Sequence, residues 1–318
     1  MFDFLSAIIM LRKKLFYLIA LLVLFSCSKG SQIVEEGFVE VNGGKIWYEV
    51  YGKGPKAPLL LLHGGPGGTS FGFEPLKEMG YDGPIIFWEQ LGSGRSDPLT
   101  DTTLMTIENY VDQVERLRKH LGLKDFVLYG HSWGTMLGMD YFLTFPDEVK
   151  AIIFSSPLFS TDLWISDADT LIATLPDSVQ QVIRYHESIG EYEHPHYEAA
   201  TKLYYSLYVT RKEKTEVDRS HLNLVSGTNV YLYMWGPSEF TSTGTLRNYD
   251  RLEYLPKINV PVLLMTGEYD EARPSTVKYY QSLVPGSKFA MIPDAAHSTL
   301  NDNKEGTLKV VMEFIEKL

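Results

Sequence analysis

A serine between two glycines is the residue of this sequence with the clearest chemical potential. Ser132 lies in "GHSWG", which follows the apolar run "DFVLY" and precedes the helix-like segment "TMLGMDYFL". At a strand-to-helix turn of this kind the backbone is strained and the serine hydroxyl is lifted clear of it, while flanking glycines avoid clashes with the neighbouring strand and helix. The pattern therefore predicts that Ser132 is a nucleophile, with Gly130 and Gly134 kept small for close packing.

A nucleophilic serine needs a histidine as its base and a carboxylate that orients the histidine. On a parallel sheet with such a turn, the acid and then the histidine follow the serine along the chain. His297 follows the last apolar segment, in "IPDAAHSTL", and Asp270 ends the preceding one, in "VLLMTGEYD". Asp294 is the rival acid, but it lies on the same short loop as His297 and is expected to point away. The favoured triad is Ser132, Asp270 and His297.

A glycine-rich loop upstream completes this chemistry. "HGGPGG" follows the apolar run "PLLLL", and backbone N–H groups in such a loop can stabilise an oxygen that becomes negative during acyl transfer. The predicted donors are the N–H groups of Gly65 and of Trp133, the residue after the nucleophile. His63 is interpreted as an anchor of the loop, because the triad already has its histidine.

Metal and cofactor sites are not predicted. His194 and His196 lie near carboxylates in "EHPHYE", but a third ligand is not evident, and zinc sites usually have three or four protein ligands at recognisable spacing.

The surrounding pattern indicates an α/β fold. "GFVEVNGGKIWYEVYG" alternates apolar and polar residues around Asn42-Gly43-Gly44 and predicts a β-hairpin. Short apolar strands then alternate with helical segments such as "TIENYVDQVERLRKHLG", which indicates a mostly parallel sheet flanked by helices. Residues 158–244 lack apolar strand runs and are rich in tyrosine. They predict a helical cap inserted between two parts of the core, residues 35–157 and 245–318.

The overall composition is that of a globular protein. Apolar residues make up 44% of the chain and charged residues 22%, and the net charge is −11. This composition allows a sizeable core in one large domain or one domain with an insertion. Basic tracts are lacking, so nucleic acid is excluded as a partner.

The N-terminus has the pattern of an export signal. In "LRKKLFYLIALLVLFSC" a basic cluster precedes an apolar run that is too short for a membrane span of about 20 residues. Cys27 is the only cysteine and ends this signal, as in a bacterial lipobox. Residues 1–27 are therefore predicted to be a signal peptide with a lipidated Cys27, on an exported, membrane-anchored protein that faces the periplasm or the cell surface. The alternatives are a plain signal peptide and translation from Met10.

Several motifs together resemble one family. "HGGPGG", "WEQLGSGRSD", "GHSWGTMLG", "GPSEFTSTGTLRNYD" and "TGEYDEARP" are similar to segments of the proline iminopeptidases, serine peptidases with the α/β-hydrolase fold and a helical cap. The resemblance covers nearly all of the chain after about residue 35. It implies the removal of an N-terminal residue, typically proline, from short peptides with a free N-terminus.

The resemblance also implies roles for two further acids. The acids that bind the substrate's amine in this family fall on Glu239, within "GPSEF", and on Glu271, within "GEYDE". One departure concerns "WEQLGSGRSD", where the family usually has aspartate at the position of Glu89, so substrate preference is expected to shift.

Two other functions stay open at this point. A carboxylesterase or an amino-acid ester or amide hydrolase would keep the triad without needing the amine. A non-catalytic, membrane-tethered binding protein on the same scaffold would need neither the triad nor a substrate amine. The sequence makes no prediction of oligomeric state.

Overall fold

The computed structural model describes residues 33–213 and 217–318. The predicted signal peptide and its Cys27 lie outside these residues. Within the described part of the chain, no helix combines the length and the apolar character needed to cross a membrane.

The described residues form one eight-stranded sheet in the order β1-β2-β4-β3-β5-β6-β7-β8. Strands β1 and β2 are the predicted hairpin, and β2 pairs with β4 in antiparallel fashion. All other pairs are parallel, so the prediction of a mostly parallel sheet is confirmed. The strands are β1 (Ile33–Val41), β2 (Gly44–Tyr51), β3 (Leu59–Leu62), β4 (Ile85–Trp88), β5 (Phe126–His131), β6 (Val149–Ser155), β7 (Val262–Gly267) and β8 (Lys288–Ile292).

The central strands are apolar throughout because helices cover both faces of the sheet. Every residue of β3, β4 and β7 is buried. Leu60 and Leu62 pack in one apolar cluster, whereas the alternate residues Leu59 and Leu61 pack in a second one. The helices that flank the sheet are α1 (Ile107–Leu121), α2 (Trp133–Thr144), α7 (Pro274–Leu283), α8 (Thr299–Asp302) and α9 (Lys304–Ile315).

In the described residues between β6 and β7, where the sequence predicts the helical cap, there are four α-helices. They are α3 (Thr161–Ile172), α4 (Asp177–Ile189), α5 (Pro195–Tyr208) and α6 (Thr228–Met234). The insertion has an apolar cluster of its own, built around residues such as Ile183, Tyr197 and Tyr204, because three of its helices bury one face against each other.

Candidate active site

Ser132 lies on the turn between β5 and α2, as the motif predicts. Its φ of 54° and ψ of −124° are unusual for a residue with a side chain and mark local strain. The flanking glycines make the turn possible. A Cβ atom on Gly134 would lie 1.9 Å from the carbonyl oxygen of Leu62, and one on Gly130 would lie 2.3 Å from the carbonyl oxygen of Gly134.

Asp270 and His297 come together on the loops that follow β7 and β8. The Nδ1 atom of His297 lies 2.8 Å from Oδ1 of Asp270, and both residues are buried. The structure thus brings the favoured acid to the histidine. Asp294, the rival acid, is exposed, and its backbone N–H donates a hydrogen bond to Glu268.

Four further donors hold the Asp270 carboxylate in place. Its Oδ2 atom accepts hydrogen bonds from the hydroxyls of Ser156 (2.6 Å) and Thr266 (2.9 Å). The N–H groups of Gly267 and Ala272 donate to Oδ2 and Oδ1. Burial opposes ionisation of Asp270, but the positive charge of His297 and these hydrogen bonds outweigh it and hold the pKa of this carboxyl below its usual value. Asp270 can therefore stay ionised and orient the imidazole.

The glycine-rich loop lies directly beside the serine. A Cβ atom on Gly64 would lie 3.3 Å from the Cβ atom of Ser132. Among the described residues, the backbone N–H groups of Gly65 and Trp133 donate no hydrogen bond, so both are available to an oxyanion. The interpretation of His63 as a loop anchor fits its contacts, because its Nδ1 lies 2.9 Å from the Gly64 carbonyl oxygen and the Gln90 N–H donates to its Nε2.

Glu271 is a buried carboxylate with little hydrogen-bond support. It is 1% exposed, and neither of its oxygens accepts a well-formed hydrogen bond from the residues that the structure describes, although the Tyr204 hydroxyl lies close enough to favour its charged form in part. Its Oε1 atom lies 3.9 Å from Nδ1 of His297. Burial, and then the negative charges of Glu239 and Asp270, raise the pKa of Glu271 well above its usual value. The charged form of such an acid is unfavourable in the free protein, and a bound cation would stabilise it strongly.

Glu239 reaches the same place from the cap and is partly buried. Its backbone N–H donates to the Tyr205 hydroxyl, and its carbonyl accepts from the Trp164 indole N–H. The Trp164 ring in turn packs against His297, with 5.6 Å between ring centroids. Burial raises the pKa of Glu239, and the positive charge of His297 offsets part of this shift. The two acids named by the resemblance thus converge beside the catalytic pair.

Two tyrosines of the cap complete this polar cluster. The buried hydroxyls of Tyr204 and Tyr231 make no well-formed hydrogen bond within the described ranges, but they interact with Glu271 and Glu239, respectively. Burial and the charges of Glu239 and Glu271 raise the pKa of both tyrosines well above 10, so they stay neutral donors. Sequence reasoning noted the many tyrosines of the cap but did not single out these two.

Glu89 does not lie among these acids. It is fully buried and pairs with Arg95, whose Nη2 lies 2.8 Å from Oε1 of Glu89. The hydroxyl and N–H of Ser70 also donate to it. Burial opposes its ionisation, but the hydrogen bonds and charge of Arg95 outweigh it and lower its pKa. Glu89 therefore ties two core loops together, and an effect on substrate preference would have to act through those loops.

The histidines near "EHPHYE" pack against one another and do not form a metal site. The His186 and His194 rings stack with centroids 4.3 Å apart, and His194 contacts His196. In residues 33–213 and 217–318, no three His, Cys, Asp or Glu side chains are placed so that they could hold a metal ion.

A cavity of about 1440 Å³ adjoins the triad without including it. Gly64, His131 and Ser298 contribute to its wall, and each of them is adjacent in sequence or in space to a triad residue. Ser132 and His297 themselves are only 8% and 5% exposed. Both side chains are therefore largely shielded from solvent.

A strained serine at the carboxyl edge of a mostly parallel sheet, with an acid–histidine pair on the loops of the last two strands, defines a serine hydrolase with the α/β-hydrolase fold. Residues 57–304 match the family described as alpha/beta hydrolase fold. The chain is 37% identical over 285 residues to a proline iminopeptidase of Heyndrickxia coagulans, a match that covers 89% of this chain and 99% of the relative. The chain belongs to the proline iminopeptidase family.

Solved structures agree with this assignment. The crystal structure of VinJ has a TM-score of 0.83 and 30% identity, covering 90% of this chain and 100% of VinJ. The crystal structure of a proline iminopeptidase from Mycobacterium smegmatis has a TM-score of 0.79 and 27% identity, covering 89% of this chain and 98% of the other.

Proposed function

We propose that this serine hydrolase is an aminopeptidase that releases an N-terminal residue, preferentially proline, from short peptides. The observation that carries the proposal is the pair of converging acids, Glu239 and Glu271, beside the Asp270–His297 pair. The name of the Heyndrickxia coagulans relative supports proline as the preferred residue.

The acid pair suits a protonated α-amine. A buried carboxylate with little hydrogen-bond support is destabilised. An ammonium group placed between Glu271, which is of this kind, and the partly buried Glu239 relieves this cost while gaining from the low local dielectric. The hydroxyls of Tyr204 and Tyr231 add donors and acceptors at the same point. An internal peptide bond has no ammonium group, so only the first bond of a peptide would be held at Ser132.

The proposed chemical steps use the side chains described above. Ser132 Oγ attacks the carbonyl carbon of the first residue, and His297 takes the serine proton. The backbone N–H groups of Gly65 and Trp133 stabilise the oxyanion. His297 then gives the proton to the leaving amine, which breaks the C–N bond and leaves an acyl ester on Ser132. Water, activated by His297, hydrolyses this ester and restores the serine.

A substrate panel tests the proposal. The soluble domain would be given prolyl and other aminoacyl naphthylamides, together with simple acetate esters. We expect hydrolysis of the prolyl compound with the highest kcat/KM among the naphthylamides. Hydrolysis of the esters with no cleavage of any aminoacyl naphthylamide would contradict the proposal and favour a carboxylesterase.

We propose further that the enzyme is exported and held at a membrane by a lipid on Cys27. The support is the basic cluster, the apolar run and the sole cysteine at its end. Radiolabelled fatty acid should be incorporated into the wild-type chain, and Cys27→Ala should abolish incorporation and leave unprocessed precursor. If the wild-type chain is processed but carries no label, the lipid anchor is contradicted and only export remains.

A further inference from the structure

One backbone carbonyl of the cap connects the two functional parts of the site. The carbonyl oxygen of Tyr208, the last residue of α5, accepts hydrogen bonds from the N–H groups of both His297 (3.1 Å) and Glu271 (3.2 Å). The position of this carbonyl therefore affects the catalytic histidine and the acid proposed to bind the amine at the same time.

The segment that follows, residues 208–212, is named here the strap. It runs along the loop that carries His297. The N–H of Ser298 donates to the Val209 carbonyl oxygen at 2.8 Å, and the Thr210 hydroxyl donates to the Ser298 hydroxyl at 2.9 Å. The Asn301 side chain donates to the Lys212 carbonyl oxygen at 2.9 Å. The strap is thus joined to the His297 loop by several bonds between residues distant in sequence.

Asp302 holds the two segments together at their far end. Its side chain is fully buried. The carboxylate accepts hydrogen bonds from the backbone N–H groups of Arg211 and Lys212 in the strap, at 3.1 Å each to the nearer oxygen. It also accepts one from the N–H of Ala296, directly before His297, at 2.9 Å. The Asn301 side chain donates one further hydrogen bond to it at 3.1 Å. Among the described residues no side-chain cation pairs with it, so backbone N–H groups of two segments supply most of its support.

We propose that Asp302 is a positioning residue that clamps the strap to the His297 loop and thereby sets His297 and Glu271 relative to Ser132. The part that concerns Glu271 rests on the proposed function, whereas the part that concerns His297 requires only the triad. Clamping matters because a displacement of about 1 Å in a catalytic group can cost about 100-fold in rate.

A carboxylate is needed because the site offers only donors. An ionised aspartate presents two acceptor oxygens, whereas asparagine presents one acceptor and an NH₂ group that would face backbone N–H groups. Asp302→Asn therefore keeps the side-chain size but leaves at least one buried N–H without a partner, which frees the strap or the loop.

The test measures kinetics per active site in Asp302→Asn. Sites are counted by labelling to completion with a fluorophosphonate, so that misfolded molecules do not contribute. Substrates are prolyl naphthylamide, its N-acetylated form and a neutral acetate ester. The matched control is Glu115→Gln, because Glu115 is also a buried carboxylate with several donors, Arg118 and Tyr141 among them, and lies on α1.

We expect Asp302→Asn to lower kcat/KM for prolyl naphthylamide by about 10- to 100-fold per site, because a misplacement of about 1 Å costs up to about 100-fold. The acetate ester should show a smaller loss that falls on kcat, since only the placement of His297 affects it. The preference for the free amine over the N-acetylated substrate should also decrease. Glu115→Gln should lose stability while its per-site constants stay within about twofold of wild type.

Per-site constants and amine preference within about twofold of wild type in Asp302→Asn would overturn the positioning role and leave the proposed function intact. If the wild-type enzyme shows no preference for the free amine, the proposed function is overturned. The kcat of Asp302→Asn for the acetate ester would still show whether His297 is displaced. If Asp302→Asn does not fold, Asn301→Ala removes the bonds from the Asn301 side chain to the Lys212 carbonyl and to the Asp302 carboxylate. Asn301→Ala should then lower kcat/KM for prolyl naphthylamide several-fold per site. Unchanged per-site constants in this variant would count against the proposal.

Discussion

Ser132→Ala is expected to lower kcat by at least about 10⁴-fold, because without the hydroxyl no acyl ester can form. The fold should persist, since alanine fits wherever serine does and the strain of the turn resides in the backbone. The measurement is steady-state hydrolysis of prolyl naphthylamide by protein purified free of host peptidases. Turnover close to that of the wild type would rule out Ser132 as the nucleophile.

His297→Ala serves as the companion variant. It should be comparably damaging, and the double variant should be little worse than either single one, because residues that act as a unit give strongly non-additive losses. Losses that multiply in the double variant would indicate that the two side chains act in separate steps and that the triad is misassigned.

Glu271→Gln and Glu239→Gln are expected to produce the second largest effect. Each keeps the size of the side chain and removes its charge. Loss of one partner of a desolvated charge pair typically costs about 2 to 5 kcal/mol, hence roughly 30- to several-thousand-fold in kcat/KM for aminoacyl naphthylamides. Hydrolysis of a neutral acetate ester should change little, because Ser132, Asp270 and His297 remain. An equal loss on both kinds of substrate would contradict an amine-binding role.

Stability provides an independent control for Glu271→Gln. Burial and neighbouring charge raise the pKa of this carboxyl in the folded chain, so the folded state binds its proton more tightly than the unfolded state does. The free energy of unfolding therefore falls as pH rises from the usual glutamate value of 4.5 through the raised value. Glutamine does not ionise, so Glu271→Gln avoids this decrease in the free energy of unfolding. We expect the Tm of the variant to lie about 2 °C or more above that of the wild type at neutral pH. The gain should vanish in acid, where Glu271 is neutral in both states.

The sequence predicts the parts of this molecule that depend on local pattern. The apolar runs of β3 and β7 predict buried parallel strands, and the glycines around Ser132 predict the turn that the structure contains. The choice of Asp270 over Asp294 also follows locally, because Asp294 shares a short loop with His297, whereas Asp270 follows the preceding strand. The structure places Asp270 against His297 and leaves Asp294 exposed.

The features that sequence alone misses arise from contacts between distant segments. Ser156 and Thr266 support Asp270, but a serine or threonine near a strand end is too common to carry a signal. Asp302 meets the strap across about 90 residues of chain, and a backbone carbonyl such as that of Tyr208 has no sequence signature at all. For Glu89, sequence reasoning concerned substrate preference only, and its contacts with Arg95 and Ser70 were not foreseen; its effect on substrate preference stays a prediction.

The most direct test of the account is the ratio of kcat/KM for prolyl naphthylamide to that for N-acetylprolyl naphthylamide in the wild-type enzyme. Acetylation removes the positive charge and leaves the scissile bond unchanged, so the ratio isolates recognition of the amine by Glu239 and Glu271. We predict a ratio above about 100, consistent with the loss of a desolvated ion pair. A ratio near 1 would contradict the account, because the buried acids would then have no role in choosing the substrate.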